Sequence, residues 1–373
     1  MDGVRPTRLA AINEPQAVLI MSDRLLAWLD EDRCRSHIER ARKFWAGEGR
    51  HVISLTTPKH RPRQDTPDEE RFQIHLASLE HQASLPGLNV PSVFPDYGTI
   101  RTARCWGGEV RVAEETGNPH IAPVAASIDE ALALEPLPLG DARMDTARAL
   151  KLFRRLNEAL ETDQLWFRAP DMQGPLNTAG LVLKQDELLM AMHGEPGKAR
   201  QFLHQVTSFL VDLWRYLQRE CDGRFAGSIW PYTFVPADLG VVFTEDLMPL
   251  LSADVYREFG IPLLRRIADE FGSLHIHCCG RWGHHVQNLK RSGLPLRSLE
   301  FHWPFTKLEE LEPLAETAVF IPYIALDQQN RFKSVSEFYR HLIEKTETKF
   351  RFWFACADDS AEMTGFVERY GQA

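Results

Sequence analysis

From about Gln164 to the C-terminus, short apolar runs rich in β-branched and aromatic residues alternate with longer segments whose apolar side chains recur every three to four positions. That alternation predicts parallel βαβ units, because a strand that must lie parallel to its neighbour needs a long crossover, usually a helix. Seven runs read as strands: His51 to Thr57, Leu165 to Ala169, Phe225 to Trp230, Leu274 to Cys279, Leu296 to Phe301, Val319 to Ile324 and Phe350 to Ala355. The helix between the second and third spans Pro196 to Glu220, with Ala199, Phe202, Leu203, Val206, Phe209, Leu210, Leu213 and Leu217 forming one apolar stripe. Ala253 to Phe271 repeats the pattern behind a Ser252 N-cap, and Ser334 to Lys345 begins as a capping box with Glu337. No Gly-x-Gly-x-x-Gly turn follows any strand, which favours a single (β/α)8 barrel over a doubly wound nucleotide-binding sheet.

Two stretches fall outside the rhythm. Residues 1–50 predict a helical N-terminal extension, and Pro86 to Pro138, rich in Pro and Gly, predicts an insertion or lid near the barrel mouth. Lys59 to Glu70 reads as an exposed loop. The chain of 373 residues is expected to be one domain, since barrels of this kind commonly reach such a length.

The net charge of −9 and the absence of a Lys/Arg run argue against nucleic acid as the partner, because neutralising phosphates requires clustered cations. No apolar stretch approaches the ~20 residues that a bilayer-spanning helix needs. The first residues lack the cationic start and apolar run of a secretory signal, so a cytoplasmic protein with reduced thiols is expected.

The six cysteines are sparse, but two lie in His275-Ile276-His277-Cys278-Cys279-Gly280 and a third, Cys356, ends the strand Phe352-Trp353-Phe354-Ala355. On a strand, alternate side chains share a face, so His277 and Cys279 can grip one ion while Cys278 points away. Cys356 offers a third donor, and one imidazole with two thiolates and an open position suits catalytic Zn²⁺. The plainer alternative is core packing: with 14 His and 6 Cys such a triplet can arise by chance, and free Cys is commonly buried as a small hydrophobe.

Other polar residues fall at predicted strand ends. Glu245 and Asp246 are placed in the loop after Phe225 to Trp230, where paired carboxylates orient a substrate or move a proton, or simply precede a helix. Asp358, with Asp359 and Glu362, follows Cys356 and either supports a zinc ligand or complements a helix N-terminus. Asp171, Asn177 and His302 are placed at the mouth, with His302 a further ligand or acid; Trp230, Tyr232 and Tyr323 floor a pocket or pack in the core. His284 and His285 read as surface residues.

Several segments, in order, resemble the uroporphyrinogen decarboxylase superfamily and in particular its zinc-dependent corrinoid methyltransferase branch. They are Val90-Pro91-Ser92-Val93-Phe94-Pro95-Asp96-Tyr97-Gly98-Thr99, Pro170-Asp171-Met172-Gln173-Gly174-Pro175, Thr244-Glu245-Asp246-Leu247, Leu251-Ser252-Ala253-Asp254-Val255-Tyr256, His277-Cys278-Cys279-Gly280 and Ala355-Cys356. The resemblance implies one (β/α)8 barrel with its site at the C-terminal mouth, zinc on His277, Cys279 and Cys356, and methyl transfer between a corrinoid and a thiol or methylated small molecule. No Asp-x-His-x-x-Gly cobalamin motif occurs, so the corrinoid would arrive on a partner protein. Homodimerisation is left open. True decarboxylases of the family carry an N-terminal Arg-rich carboxylate-binding motif that this chain lacks; Arg33, Arg35, Arg40 and Arg42 sit at helical spacing as a solvated face. The alternatives are a metal-free decarboxylase-like lyase acting on a carboxylated substrate and an inactive binding subunit.

Overall fold

Apolar strands that are buried on both faces need cover on both sides, and parallel pairing with helical crossovers supplies it. The structure is a computed structural model that describes residues 9–10, 19–56, 62–63, 65–113, 119–169, 172–229, 233–326, 331–346 and 349–371. Its central sheet contains β1 (His51–Leu55), β6 (Val241–Thr244), β7 (Leu274–His277), β8 (Leu296–Trp303), β9 (Val319–Ile324) and β10 (Arg351–Cys356), all parallel, in spatial order β6-β7-β8-β9-β10-β1. A second sheet pairs β2 (Ser92–Val93), β3 (Trp166–Ala169) and β4 (Phe225–Gly227) in parallel and adds β5 (Val235–Pro236) antiparallel at its edge. A parallel bridge between Gln173 and Thr244 ties the two sheets at one edge, and an antiparallel bridge from Ser54 to Gly87 extends β1 at the other.

All seven predicted strands are present, most with shifted ends. The strand expected to run to Cys279 stops at His277, and the one expected to reach Trp230 is ladder-bonded only to Gly227. Besides the antiparallel edge strand Val235–Pro236, two of the parallel strands escaped the sequence reading, Ser92–Val93 and Val241–Thr244. The second matters for the site: Glu245 and Asp246 leave a central strand directly, instead of lying in a long loop after Phe225.

The helix Pro196–Glu220 has the predicted bounds, and its buried stripe packs Trp214 edge-on to Phe225 with ring centroids 4.8 Å apart. Ser252 caps its helix as expected, but the segment passes through one π turn, Tyr256–Gly260, before continuing as Ile261–Phe271. Ser334 accepts from the Glu337 N–H while the Glu337 side chain accepts from Lys333 N, so the chain end of Val335–Lys345 is satisfied from both sides. In the N-terminal extension, helices Asp23–Trp28 and Glu31–Trp45 are capped by Ser22 and Asp30. Trp45, at the end of the second, stacks on Trp353 at 4.8 Å and meets His275 edge-on at 4.9 Å, covering one end of the central sheet. Of the predicted exposed loop, residues 68–70 are already the first turn of helix Asp68–Gln82. The Pro/Gly-rich span contains a small antiparallel pair, Val110–Val112 with Pro119–Ile121, and the short helices Arg101–Arg104 and Ile128–Leu132. Among the described residues no helix is long and apolar enough to cross a membrane.

Candidate metal centre

Strand alternation builds the site from below. On β7, His275 and His277 share a face; on β8, Ser298, Glu300 and His302 share one. Residue 275 lies opposite Ser298 in the ladder, and the His275 Nδ1 and Ser298 Oγ are 2.7 Å apart. One rung nearer the C-terminal ends, His277 Nδ1 hydrogen-bonds Glu300 Oε2. The other Glu300 oxygen lies 2.8 Å from His302 Nε2, so one carboxylate with no exposed surface holds two imidazoles. The His302 ring in turn lies over Tyr323, its partner on β9, at 4.3 Å.

The opposite edge of His277 faces Asp246 and Cys279. Asp246 Oδ1 accepts from the Cys279 N–H at 2.9 Å and lies 3.6 Å from His277 Nε2. One donor atom each from Asp246, His277 and Cys279 falls within 4.8 Å of the others, and a second such group is made by His277, Glu300 and His302. These are residues that can bind a metal: carboxylate oxygen, imidazole nitrogen and thiol sulfur around a point at the strand ends, with Cys279 exposed for ion entry. Cys278 is buried and belongs to neither group, although the strand whose alternation was expected to separate it from Cys279 ends at His277.

Cys356, the expected third ligand, also belongs to neither group. The strand order gives the reason: β8 and β9 lie between β7 and β10, whereas Asp246 and Glu300 extend from or sit on the immediate neighbours of β7. Neighbouring strands are ~4.8 Å apart, so adjacency decides which side chains crowd His277. Burial, with Asp358 adding to it, pushes the Cys356 thiol up to about 12.

Electrostatics at the centre follows from three carboxylates in a closed space. Burial, reinforced by Asp246, raises the Glu245 carboxyl to about 8, and its Oε2 has no hydrogen-bond partner among the described residues. Burial alone would lower His277, but Glu300, Cys279 and Asp246 outweigh it and its pKa lies well above the ordinary value. The Cys279 thiol is pulled down by its hydrogen bond with His277, yet burial and Asp246 leave it above its usual range. A bound cation would reverse this balance, since its charge favours thiolate and carboxylate alike.

The remaining predicted residues divide. Asn177 is a brace: its Oδ1 accepts from Leu247 N at 2.8 Å and its Nδ2 donates to Gln173 Oε1 at 2.7 Å, fixing the turn that carries Glu245 and Asp246. Asp358 accepts from Ser360 N at 2.8 Å just before helix Ala361–Tyr370, the helix-approach use. Glu362 accepts from Ser334 Oγ at 2.5 Å, tying two helices together. His285 is fully buried, 2.8 Å from the Met248 carbonyl, which corrects its reading as a surface residue; His284 is exposed. Asp171, Trp230 and Tyr232 lie outside the described residues. Glu300 was missed by sequence reasoning, although an acidic residue in the apolar run Leu299-Glu300-Phe301, two positions before a histidine, was a readable sign of a buried charged pair.

No protein-family profile matches the chain, and no curated protein does. Among solved structures, a methyltransferase from Methanosarcina mazei superposes with a TM-score of 0.62 at 12% sequence identity, covering 91% of this chain and 98% of that one. The chain therefore has the fold of that methyltransferase, in agreement with the resemblance read from the sequence. The crystal structure of SacUVDE aligns at 11% identity over 61% of this chain and 88% of that one, with a TM-score of 0.30 that is too low to bear on the fold.

Proposed function

We propose that this chain is a zinc-dependent methyltransferase that moves a methyl group between a corrinoid on a partner protein and a thiol or methylated small molecule. The observation that carries the reading is the convergence of Asp246, His277 and Cys279 at the strand ends of a methyltransferase-like fold. Mixed oxygen, nitrogen and sulfur donors suit Zn²⁺, and a site with fewer than four close protein donors leaves room for a reactant. Cys356 is kept as the further ligand that the family resemblance implies. We also read the two parallel sheets as one (β/α)8-type barrel and the chain as a single domain, a reading supported by the Gln173–Thr244 and Ser54–Gly87 bridges.

In this reading zinc supplies a Lewis acid that holds the acceptor sulfur as thiolate at neutral pH. The chain's own groups do the rest. Asp246 and His277 present the site, His302 and Tyr323 line its flank, and Asn177 holds the carrying turn. Glu245, whose carboxyl burial raises to about 8 in the metal-free chain, is proposed to orient the substrate or move a proton. Asp171, Trp230 and Tyr232 are proposed as substrate contacts and Asp358 as a support for Cys356.

Elemental analysis of the purified protein should find close to one zinc per chain. Incubation with a methylated corrinoid protein and a panel of thiols should then change the cobalt absorbance, and Cys356→Ala should abolish that change while circular dichroism stays that of the wild type. A protein that is metal-free and refuses added zinc would overturn the reading; zinc without turnover on any donor or thiol would favour a zinc-assisted lyase.

A further inference from the structure

At the N-terminal ends of the strands, opposite the candidate metal centre, a cleft of about 400 Å³ opens between the end of helix Glu31–Trp45 and the first residues of β7 to β10. Its walls include Trp45, Leu294 and Leu296, and two cations line it, Arg297 near the start of β8 and Arg351 at the first position of β10. Their guanidiniums come together because they bond the carbonyls of consecutive residues: Arg297 Nη1 donates to Trp45 O at 2.8 Å, and Arg351 Nη2 donates to Phe44 O. Arg351 Nε adds a bond to Gly49 O at 3.0 Å. We propose that this arginine pair anchors a second binding site, one that holds a small phosphate monoester by its phosphate group. The inference concerns the far ends of the strands and does not depend on the metal reading.

Charge carries the argument. Every acceptor that the two guanidiniums meet among the described residues is a neutral carbonyl, and neither forms an ion pair there. Those carbonyls lie at and just beyond the end of a helix, whose dipole is worth roughly half a negative charge. Set against two full positive charges, that leaves more than one uncompensated. Burial lowers the Arg351 pKa and Arg297 lowers it further, since like charges in a half-buried cleft oppose each other. Arg297 Nε and Nη2 and Arg351 Nη1 have no acceptor among the described residues, so both forks keep donors for a ligand. A tetrahedral dianion matches two charges and forked donors, the use for which a guanidinium is best shaped. The cleft is larger than a bare phosphate, and Leu294, Leu296 and Trp45 give apolar wall for a small organic body. The carboxylate in its lining, Glu316, is exposed and pairs with neither arginine, so it opposes an anion only from the rim.

Isothermal titration calorimetry with inorganic phosphate and with glycerol 3-phosphate tests it, on the protein as purified and after treatment with a chelator. Both preparations should show one site of the same affinity, with the ester bound more tightly than phosphate, succinate more weakly, and glycerol not at all. Arg297→Gln should weaken binding about 10- to 100-fold, the effect of losing hydrogen bonds from a charged donor. Glu316→Gln, at an exposed position, should strengthen it about two- to fivefold at low ionic strength. Circular dichroism checks that the arginine variant folds; if it does not, Glu316→Gln decides, and an unchanged affinity there would overturn the proposal. No binding to the wild-type protein, binding that requires the metal, a preference for succinate, or an unchanged affinity in folded Arg297→Gln would each overturn it as well.

Discussion

At the scale of single residues, adjacency in sequence and adjacency in space part company at Cys278 and Cys279. Both are thiols on adjacent residues, yet only Cys279 shares a donor group with His277 and Asp246, while Cys278 is buried. Cys279→Ser should therefore reduce zinc content strongly, and Cys278→Ser should retain the metal with a stability loss of about 1 kcal/mol or less; equal metal loss in both would mean that Cys278 also reaches the ion. A second residue-scale expectation concerns acid. Burial, with Arg71 adding to it, lowers His75 to about 4 from 6.5. Its neutral form is therefore the folded form, and its contribution is fully present above pH 6.5. As pH falls toward 4 the unfolded chain takes up a proton that the folded one refuses, so stability declines by up to about 3 kcal/mol across that window. Urea unfolding at pH 7.5 and 4.5 should reveal the loss, and His75→Gln should lessen it without abolishing it, because burial lowers His37, His275 and His285 as well. Residue identity was the legible part of the site: His277, Cys279 and Asp246 were all singled out from the sequence. Glu300 was not, because its significance depends on lying opposite His277, and register between strands is a tertiary fact.

Elements carry the next level of the argument. The helices were readable because a long apolar stripe or a capping serine has few competing explanations, as in Pro196–Glu220 and the Ser334 N-cap. Val241–Thr244 was overlooked because three apolar residues and a threonine behind Pro236 and Gly240 look like the tail of a loop; only parallel pairing with Leu274–His277 makes them a strand. That strand ends where Gly174 crosses it. The Gly174 N–H donates to the Thr244 carbonyl at 2.8 Å, and a Cβ on Gly174 would run into the buried Glu245 carboxylate and come within 3.0 Å of the Thr244 carbonyl oxygen. Gly174→Ala should cost about 1–3 kcal/mol, visible as a lower Tm, with metal affinity falling as the Glu245-Asp246 turn is displaced. An unchanged Tm and unchanged zinc binding would mean that the turn is looser than this packing implies.

For the whole molecule, the predicted α/β class and parallel order hold, and the departures concentrate where strands are shortest. Ser92–Val93 and Phe225–Gly227 are two and three residues long, too short to impose a periodicity, and they belong to the second sheet. A metal that binds only the folded chain should raise its stability by mass action, by about 2.7 kcal/mol when free zinc stands at 100 times Kd. Melting curves with zinc and with chelator should separate by several degrees, and coincident curves would argue against a site formed by folding. The two candidate donor groups share His277 and together come from the end of β6, from β7 and its exit, and from β8, three neighbouring strands. A slip of one residue between β7 and β8 would turn Glu300 to the opposite face from His277. The ion is thus a gauge of register: during refolding, zinc uptake should lag the first return of helical signal, because the ion can report only on chains in which three strands have already found their alignment.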